Sequence, residues 1–293
     1  MTIVVGSVAI AEAYVRRNVT PNDVFDVQRT QFHDGGHAVA AFGDSRINSG
    51  ITRSRDIANF AVPGDAPLTV LGKFATYTRD NPQARIILQA APQQFSTQRM
   101  NSDQSNLLAE FLDPHPQPLH ILRPHLRRFF MQFVRTAANN PSALFETIEP
   151  IAAAPSVEPP TFADLPHNIR RIEARQRIQH HTPVSSFASS ETAQIWQRTL
   201  RDAVARGVDV CLVTMPVSAA YRKTASTNPT FAATRNFYRG LAADIGVPYI
   251  DMWDAWPDNI LVNSDHIHET AAADVTQSVI RQCFGQTFAI DPS

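Results

Sequence analysis

Five short, near-continuous apolar runs punctuate this chain, and residues at helical spacing lie between most of them. Ala38-Val39-Ala40-Ala41-Phe42 ends at Gly43, and Ile57 to Val62 ends before Pro63-Gly64. Arg85 to Ala90, Val208 to Thr214 and Val247 to Asp251 complete the set. A strand with one wet face alternates apolar and polar residues; a strand covered on both faces does not. The intervening patterns read as helices. Pro67 to Arg79 carries Leu68, Leu71, Ala75 and Thr78 on one face and stops at Asn81-Pro82. A second helix opens at Ser190-Glu191, aligns Ile195, Trp196, Leu200, Ala203 and Val204, and closes at Gly207. Others are expected over Thr230 to Ile245, ended by Gly246, and Glu269 to Phe284. Alternation of this kind predicts an α/β, doubly wound parallel five-stranded sheet.

The third and fourth runs are separated by residues of another character. Leu126, Phe129, Phe130, Phe133 and Val134 make an amphipathic helix after Pro124. Pro150, Pro155, Pro159, Pro160 and Pro166 then exclude helix or central strand. A basic helical stretch follows over Asn168 to His180. Residues 96–188 therefore read as a helical, Pro-rich insertion within an α/β domain spanning 31–293, preceded by a lead-in over 1–30. Within that lead-in, Ile3 to Ala13 is apolar but too short for a bilayer, which takes about 20 apolar residues. It fits a buried first strand or helix, or the trailing end of a membrane anchor with Arg16 and Arg17 just outside.

Composition narrows the function classes. Lys+Arg 26 against Asp+Glu 27 leaves no basic excess to neutralise a phosphate backbone, so no nucleic-acid partner is expected. The 2 cysteines cannot build a disulfide framework or a four-thiolate zinc site, and Cys211 reads as a small buried hydrophobe. Glycine is scarce, 11 in all, and Gly35, Gly36, Gly43, Gly50, Gly64 and Gly72 surround the first two strand ends.

There stands Phe42-Gly43-Asp44-Ser45-Arg46. In doubly wound sheets the carboxyl ends of strands form the ligand crevice, so the turn puts the Ser45 hydroxyl in it. An unassisted hydroxyl is a poor nucleophile and needs a base. Ser264-Asp265-His266-Ile267-His268-Glu269, just before the last helix, offers one. With Asp265 three residues ahead of His268, one turn aims the carboxylate at one ring nitrogen and leaves the other for the serine. Taken singly, Ser45 and Asp265 also read as helix N-caps and His268 as a surface histidine.

These two blocks resemble those of the SGNH (GDSL-type) hydrolase superfamily. The resemblance covers about residues 38–95 and 190–284. It implies a flavodoxin-like three-layer fold and ester chemistry, with Ser45 as nucleophile, His268 as base and Asp265 as its orienter. It also implies an oxyanion hole from the Ser45 N–H, the N–H of Gly64, and an asparagine after the third strand. Here the chain departs: it reads Ala90-Ala91-Pro92-Gln93-Gln94. Gln93 is the candidate substitute amide; the alternatives are a site that works with two donors and one that has lost catalysis. Prolines after the third and fourth strands (Pro92, Pro216) and the N-terminal apolar segment resemble the membrane-anchored SGNH-like proteins of bacterial envelopes, which acylate teichoic acid, alginate or cellulose.

The expected activity is thus serine-dependent acyl transfer, as esterase or O-acyltransferase. A short acyl ester, acetyl on a carbohydrate or envelope polysaccharide, is the expected substrate, with a membrane-embedded acyl donor as partner. No metal or organic cofactor is expected. The expected location is periplasmic or extracytoplasmic, with the cytoplasm as the alternative. The rival readings are a non-catalytic polysaccharide-binding or docking module and an α/β domain of unrelated chemistry. Other residues carry weaker expectations. His115, His120 and His125 are spaced five apart among prolines, unlike a helical ligand pair, and Gly35-Gly36 breaks His33 from His37. Asp251 and Asp254 are alternative acids. Trp253 and Trp256 are core or a sugar-stacking platform. Arg170, Arg171, Arg175 and Arg177 make a solvated face or a polyanion surface, and His180-His181 ends that helix.

Overall fold

The computed structural model describes residues 12–16, 23–127, 130, 135 and 160–286. Residues 3–11, Phe129, Phe133, Val134, Pro150, Pro155 and Pro159 lie outside them, and with them most of the apolar lead-in and of the expected amphipathic helix. In chain order the elements are α1 (Val24–Asp34), β1 (Val39–Phe42), α2 (Ser45–Gly50), β2 (Ile57–Asn59), α3 (Pro67–Asp80), β3 (Arg85–Gln89) and α4 (Ser105–Leu112). There follow α5 (His167–His181), α6 (Glu191–Ala205), β4 (Val210–Thr214), α7 (Ala219–Ala225), α8 (Pro229–Ile245), β5 (Tyr249–Asp251) and α9 (Glu269–Phe284). They form two compact units. One joins the described residues up to His33 with those from Ser105 to 135; the other joins Asp34–Gln104 with 160–286. Of the residues expected as an insertion, 96–104 and 160–188 fall in the unit that contains the sheet, and the described residues from Ser105 to 135 fall in the other.

The sheet has five strands in the order β2-β1-β3-β4-β5, all pairs parallel. Successive residues of β1 serve opposite faces. Val39 and Ala41, with Ile87 and Val213, join Ile47 of α2 and Val275, Val279 and Ile280 of α9 in one core. Phe42 points the other way, its ring 6.0 Å from Phe74 and 5.7 Å from Tyr77 of α3. Helices thus cover both faces, the doubly wound α/β arrangement the strand patterns predict. In α3 the buried side is Val70, Leu71, Phe74, Tyr77 and Thr78, while Leu68 is 44% exposed. The two aromatics outweigh the leucine and rotate the helix away from the face expected from Leu68.

Cys211 in β4 and Cys283 in α9 form a disulfide. This corrects the reading of Cys211 as a plain hydrophobe: the 72-residue separation hid a pairing that only the packing of α9 on the sheet creates.

The first unit is held by an aromatic and ionic cluster. Phe25 and Phe111 meet edge to face at 5.3 Å, and the His125 ring stacks on Phe25 at 4.2 Å. His125 Nδ1 lies 2.6 Å from Glu110 Oε1, and its Nε2 lies 2.6 Å from Asp23 Oδ2. Carboxylates only accept, so both nitrogens must donate and the ring is an imidazolium. Burial opposes that charge, but the bonds to Asp23 and Glu110 outweigh it and raise the pKa. A raised folded value means that the stabilisation is full below the ordinary histidine pKa of about 6.5 and is lost as pH climbs through the folded value. Hydrogen exchange in α1 and α4 is therefore expected to speed up, after correction for intrinsic rates, between pH 6 and pH 9. His125→Phe should flatten that dependence; the same slope in the variant would assign it elsewhere.

Candidate functional site

β1 lies between β2 and β3, so the chain winds one way from β1 to β2 and the other way from β3 to β5; sheets of this kind place their ligands beyond the strand ends at that reversal. Gly43 sits at that edge because nothing larger fits. A Cβ there would stand 2.3 Å from Gln89 Oε1 and 2.5 Å from Ile47 Cγ1. Asp44 caps α2, its Oδ1 accepting the Arg46 N–H at 3.0 Å. Ser45 is the first helical residue, so the Ser45 expected as an N-cap in the plain reading is instead displayed by one. Its backbone N–H makes no hydrogen bond among the described residues, as first-turn donors need not.

The Ser45 hydroxyl meets a histidine, and it is His266. Ser45 Oγ and His266 Nε2 are 2.7 Å apart, and both residues are half-buried. On the other side of the ring, Nδ1 bonds Asn263 Oδ1 at 2.8 Å and stands 3.0 Å from Asp265 Oδ1. Only the Asn263 contact meets hydrogen-bond geometry; Asp265 Oδ1 accepts no well-aligned bond. Asn263 also accepts the backbone N–H groups of Asp265 and His266, each at 3.1 Å, and so shapes the loop. His268, the expected base, is not brought to Ser45. It is the N-cap of α9, and its Nδ1 accepts the Thr270 N–H at 3.3 Å and contacts Thr270 Oγ1 at 2.8 Å. Capping the last helix claims the residue directly before Glu269, so the base position falls two residues earlier.

Beneath the pair lies a charged layer closed to solvent. The Arg46 and Asp265 side chains are each 1% exposed. Arg46 Nε and Nη2 donate to Asp265 Oδ2 at 3.1 and 2.8 Å, and Nη1 donates to Gln93 Oε1 at 2.8 Å. Nη2 also lies 3.2 Å from His181 Nδ1 and 3.1 Å from Tyr221 Oη. Burial pushes the Asp265 carboxyl up, but the Arg46 guanidinium, with His266 beside it, holds it well below the usual range. Burial opposes the Arg46 charge as well, and Tyr221, Asp265 and Asp44 outweigh it and raise the pKa. His181 is pushed down to about 3 by burial and by Arg46, so its ring is neutral and Nδ1 accepts. Burial also lifts the Asp44 carboxyl, yet Arg99 and Arg46 keep it below its ordinary value.

Gln93, expected as an oxyanion donor, is engaged elsewhere. Its oxygen takes Arg46, and its Nε2 gives to Asp44 Oδ2 at 3.1 Å. The longer side chain reaches the buried charges, and that corrects its expected role. Gly64 has φ +94° and follows Pro63 in a turn closed by the Asp65 N–H to Val62 carbonyl bond at 3.0 Å. A type II turn demands glycine there. The Gly64 N–H makes no hydrogen bond among the described residues. Asp65 anchors the turn through Lys73 Nζ at 2.7 Å, an ion pair buried on both sides.

The alternative acids lie elsewhere. Asp251 pairs with Arg235 at 2.6 Å and Arg239 at 3.0 Å, and Asp254 is exposed. Trp253 is core, packed on Tyr221 and Phe231. The α5 arginines divide: Arg171 and Arg175 are exposed, Arg170 approaches Asp258 at 3.6 Å, and Arg177 Nε reaches Asp265 Oδ1 at 3.3 Å. His181 is buried rather than a solvated helix end. Glu173 accepts the Ser264 N–H at 3.1 Å. Glu173, Arg177 and His181 are thus site residues the sequence reading missed, although their i, i+4, i+8 spacing marks one helix face. In the first unit, Asp23, Asp26 and His125 bring possible ligand atoms within 4.8 Å of one another. Arg123 bonds Asp26 and Glu110, and His125 bonds Asp23 and Glu110, so those oxygens already serve ion pairs.

Among the described residues no helix is long and apolar enough to cross a membrane. No protein-family model matches the chain, and no curated protein matches it either.

Proposed function

We propose that the chain is a serine-dependent acyl-transfer enzyme, an esterase or O-acyltransferase of SGNH (GDSL-type) character, in which His266 replaces His268 as base. The observation that carries this is the 2.7 Å contact between Ser45 Oγ and His266 Nε2, two half-buried residues beyond the carboxyl end of β1. The strand order is that of flavodoxin-like sheets, which agrees with the resemblance. With Nδ1–H given to Asn263 and Asp265 Oδ1 3.0 Å away, Nε2 is the free base that takes the serine proton. Ser45 attacks the acyl carbonyl, and His266 then delivers the proton to the leaving alcohol. Asp265 stabilises the imidazolium between those steps. Water or a sugar hydroxyl resolves the acyl-enzyme. The Ser45 and Gly64 backbone N–H groups are the oxyanion donors in this reading.

The substrate class rests on the resemblance: a short acyl ester, acetyl on a carbohydrate, with a membrane-embedded donor where transfer replaces hydrolysis. The disulfide supports an extracytoplasmic location, because such bonds persist in oxidising compartments. A fluorophosphonate probe tests the chemistry without the natural substrate. Wild-type protein is expected to be labelled and to release nitrophenol from 4-nitrophenyl acetate, and Ser45→Ala to do neither. A folded wild type that resists labelling favours the second reading, a binding module. That reading draws support from Gln93, whose engagement removes the third oxyanion donor.

A further inference from the structure

The structure assigns Arg46, the residue next to the nucleophile, as the positioning residue for Asp265; the inference rests on the Ser45–His266 reading above. A guanidinium is costly to bury unless its donors are matched, and this one is matched on every side. Both of its bonds to Asp265 fall on the same oxygen, Oδ2. That choice leaves Oδ1 turned toward His266 Nδ1, 3.0 Å away. Gln93 and Tyr221 hold the guanidinium from the flanks, and the Tyr221 ring lies beneath it at 5.3 Å. His181 adds an acceptor and no charge.

One consequence is orientation. Without Arg46, Oδ2 has no paired donors, and the Arg177 Nε that stands 3.3 Å from Oδ1 draws the carboxylate away from the ring. The other titratable groups around this layer are Asp44, Arg99 after β3, Arg177 and His181 on α5, and Tyr221 on α7. They are the same in each variant below.

The test is 4-nitrophenyl acetate hydrolysis, together with the ¹⁵N NMR resonances of the His266 ring, for wild type, Arg46→Met and Arg46→Lys. Arg46→Met is expected to lower kcat about 100-fold with KM nearly unchanged. The His266 ring resonances should move, because the carboxylate no longer faces Nδ1. Arg46→Lys keeps the charge but not the paired donors. It should recover about tenfold in kcat over Arg46→Met and bring the ring resonances back toward the wild-type positions. A folded Arg46→Met with wild-type kcat and unmoved ring resonances overturns the assignment. If Arg46→Met does not fold, Arg46→Lys decides: tenfold-lower kcat at wild-type KM supports the role, and wild-type kcat overturns it. Failure of the underlying reading looks different, since neither turnover nor fluorophosphonate labelling would then depend on Ser45 in the wild type. The ring resonances still report on Arg46 in that case.

Discussion

Ser45→Ala and His266→Ala are each expected to lower kcat/KM by at least about 10³-fold, whereas His268→Asn stays within about threefold of wild type. Nucleophile and base act as a unit, so losing either removes most of what the pair supplies. The His268 substitution tests a position, not a residue type. Asparagine is among the best helix N-caps, so it replaces the bond from the Thr270 N–H and leaves the start of α9 intact. Stopped-flow or steady-state release of nitrophenol at pH 8, with circular dichroism as a folding control, reads all three. The reverse result, an inactive His268→Asn beside an active His266→Ala, would restore the Asp265-x-x-His268 arrangement and overturn the assignment of the base.

The second large effect concerns stability. Cys211→Ala with Cys283→Ala, or reduction of the wild type, is expected to cost about 4 kcal/mol. The basis is loop closure: cross-linking residues 72 apart removes entropy from the unfolded chain and raises its free energy by about that much in the chain-entropy relation. Measured costs usually run from about 2 to 5 kcal/mol. Urea denaturation should show a lower midpoint for the double variant and for reduced wild type, by the same amount. An unchanged midpoint would mean that packing alone holds α9 against β4. Tm comparisons with and without reductant would also show which redox compartment the fold is suited to.

β1 to β4 are legible because both their faces are buried, which writes a continuous apolar run into the sequence; β5, half-buried at the sheet edge, is legible from its place after Gly246. Ser45 and Asp265 were legible because the nucleophile turn and the segment before the last helix are short and local. His266 was not. Two histidines stood within reach, and the three-residue spacing favoured His268. The competing demand of capping α9 is decided by backbone geometry that spacing does not encode. Arg46 gave no sign of being buried, since arginine is almost always read as surface. Gln93 was read by analogy with a shorter amide, and its extra length sends it to Asp44 and Arg46 instead. The α5 contribution was obscured for another reason: four arginines on one helix suggested a wet face, and the Glu173, Arg177, His181 stripe ran among them.

Asn263 gives the candidate centre a built-in redundancy. Its side chain bonds His266 Nδ1 and two backbone N–H groups of the same loop. The imidazole therefore keeps its tautomer by an uncharged tether even when the carboxylate is absent. Replacing Asp265 should then remove charge stabilisation without disorienting the ring, and the loop separates two duties that a single acidic residue is usually asked to perform.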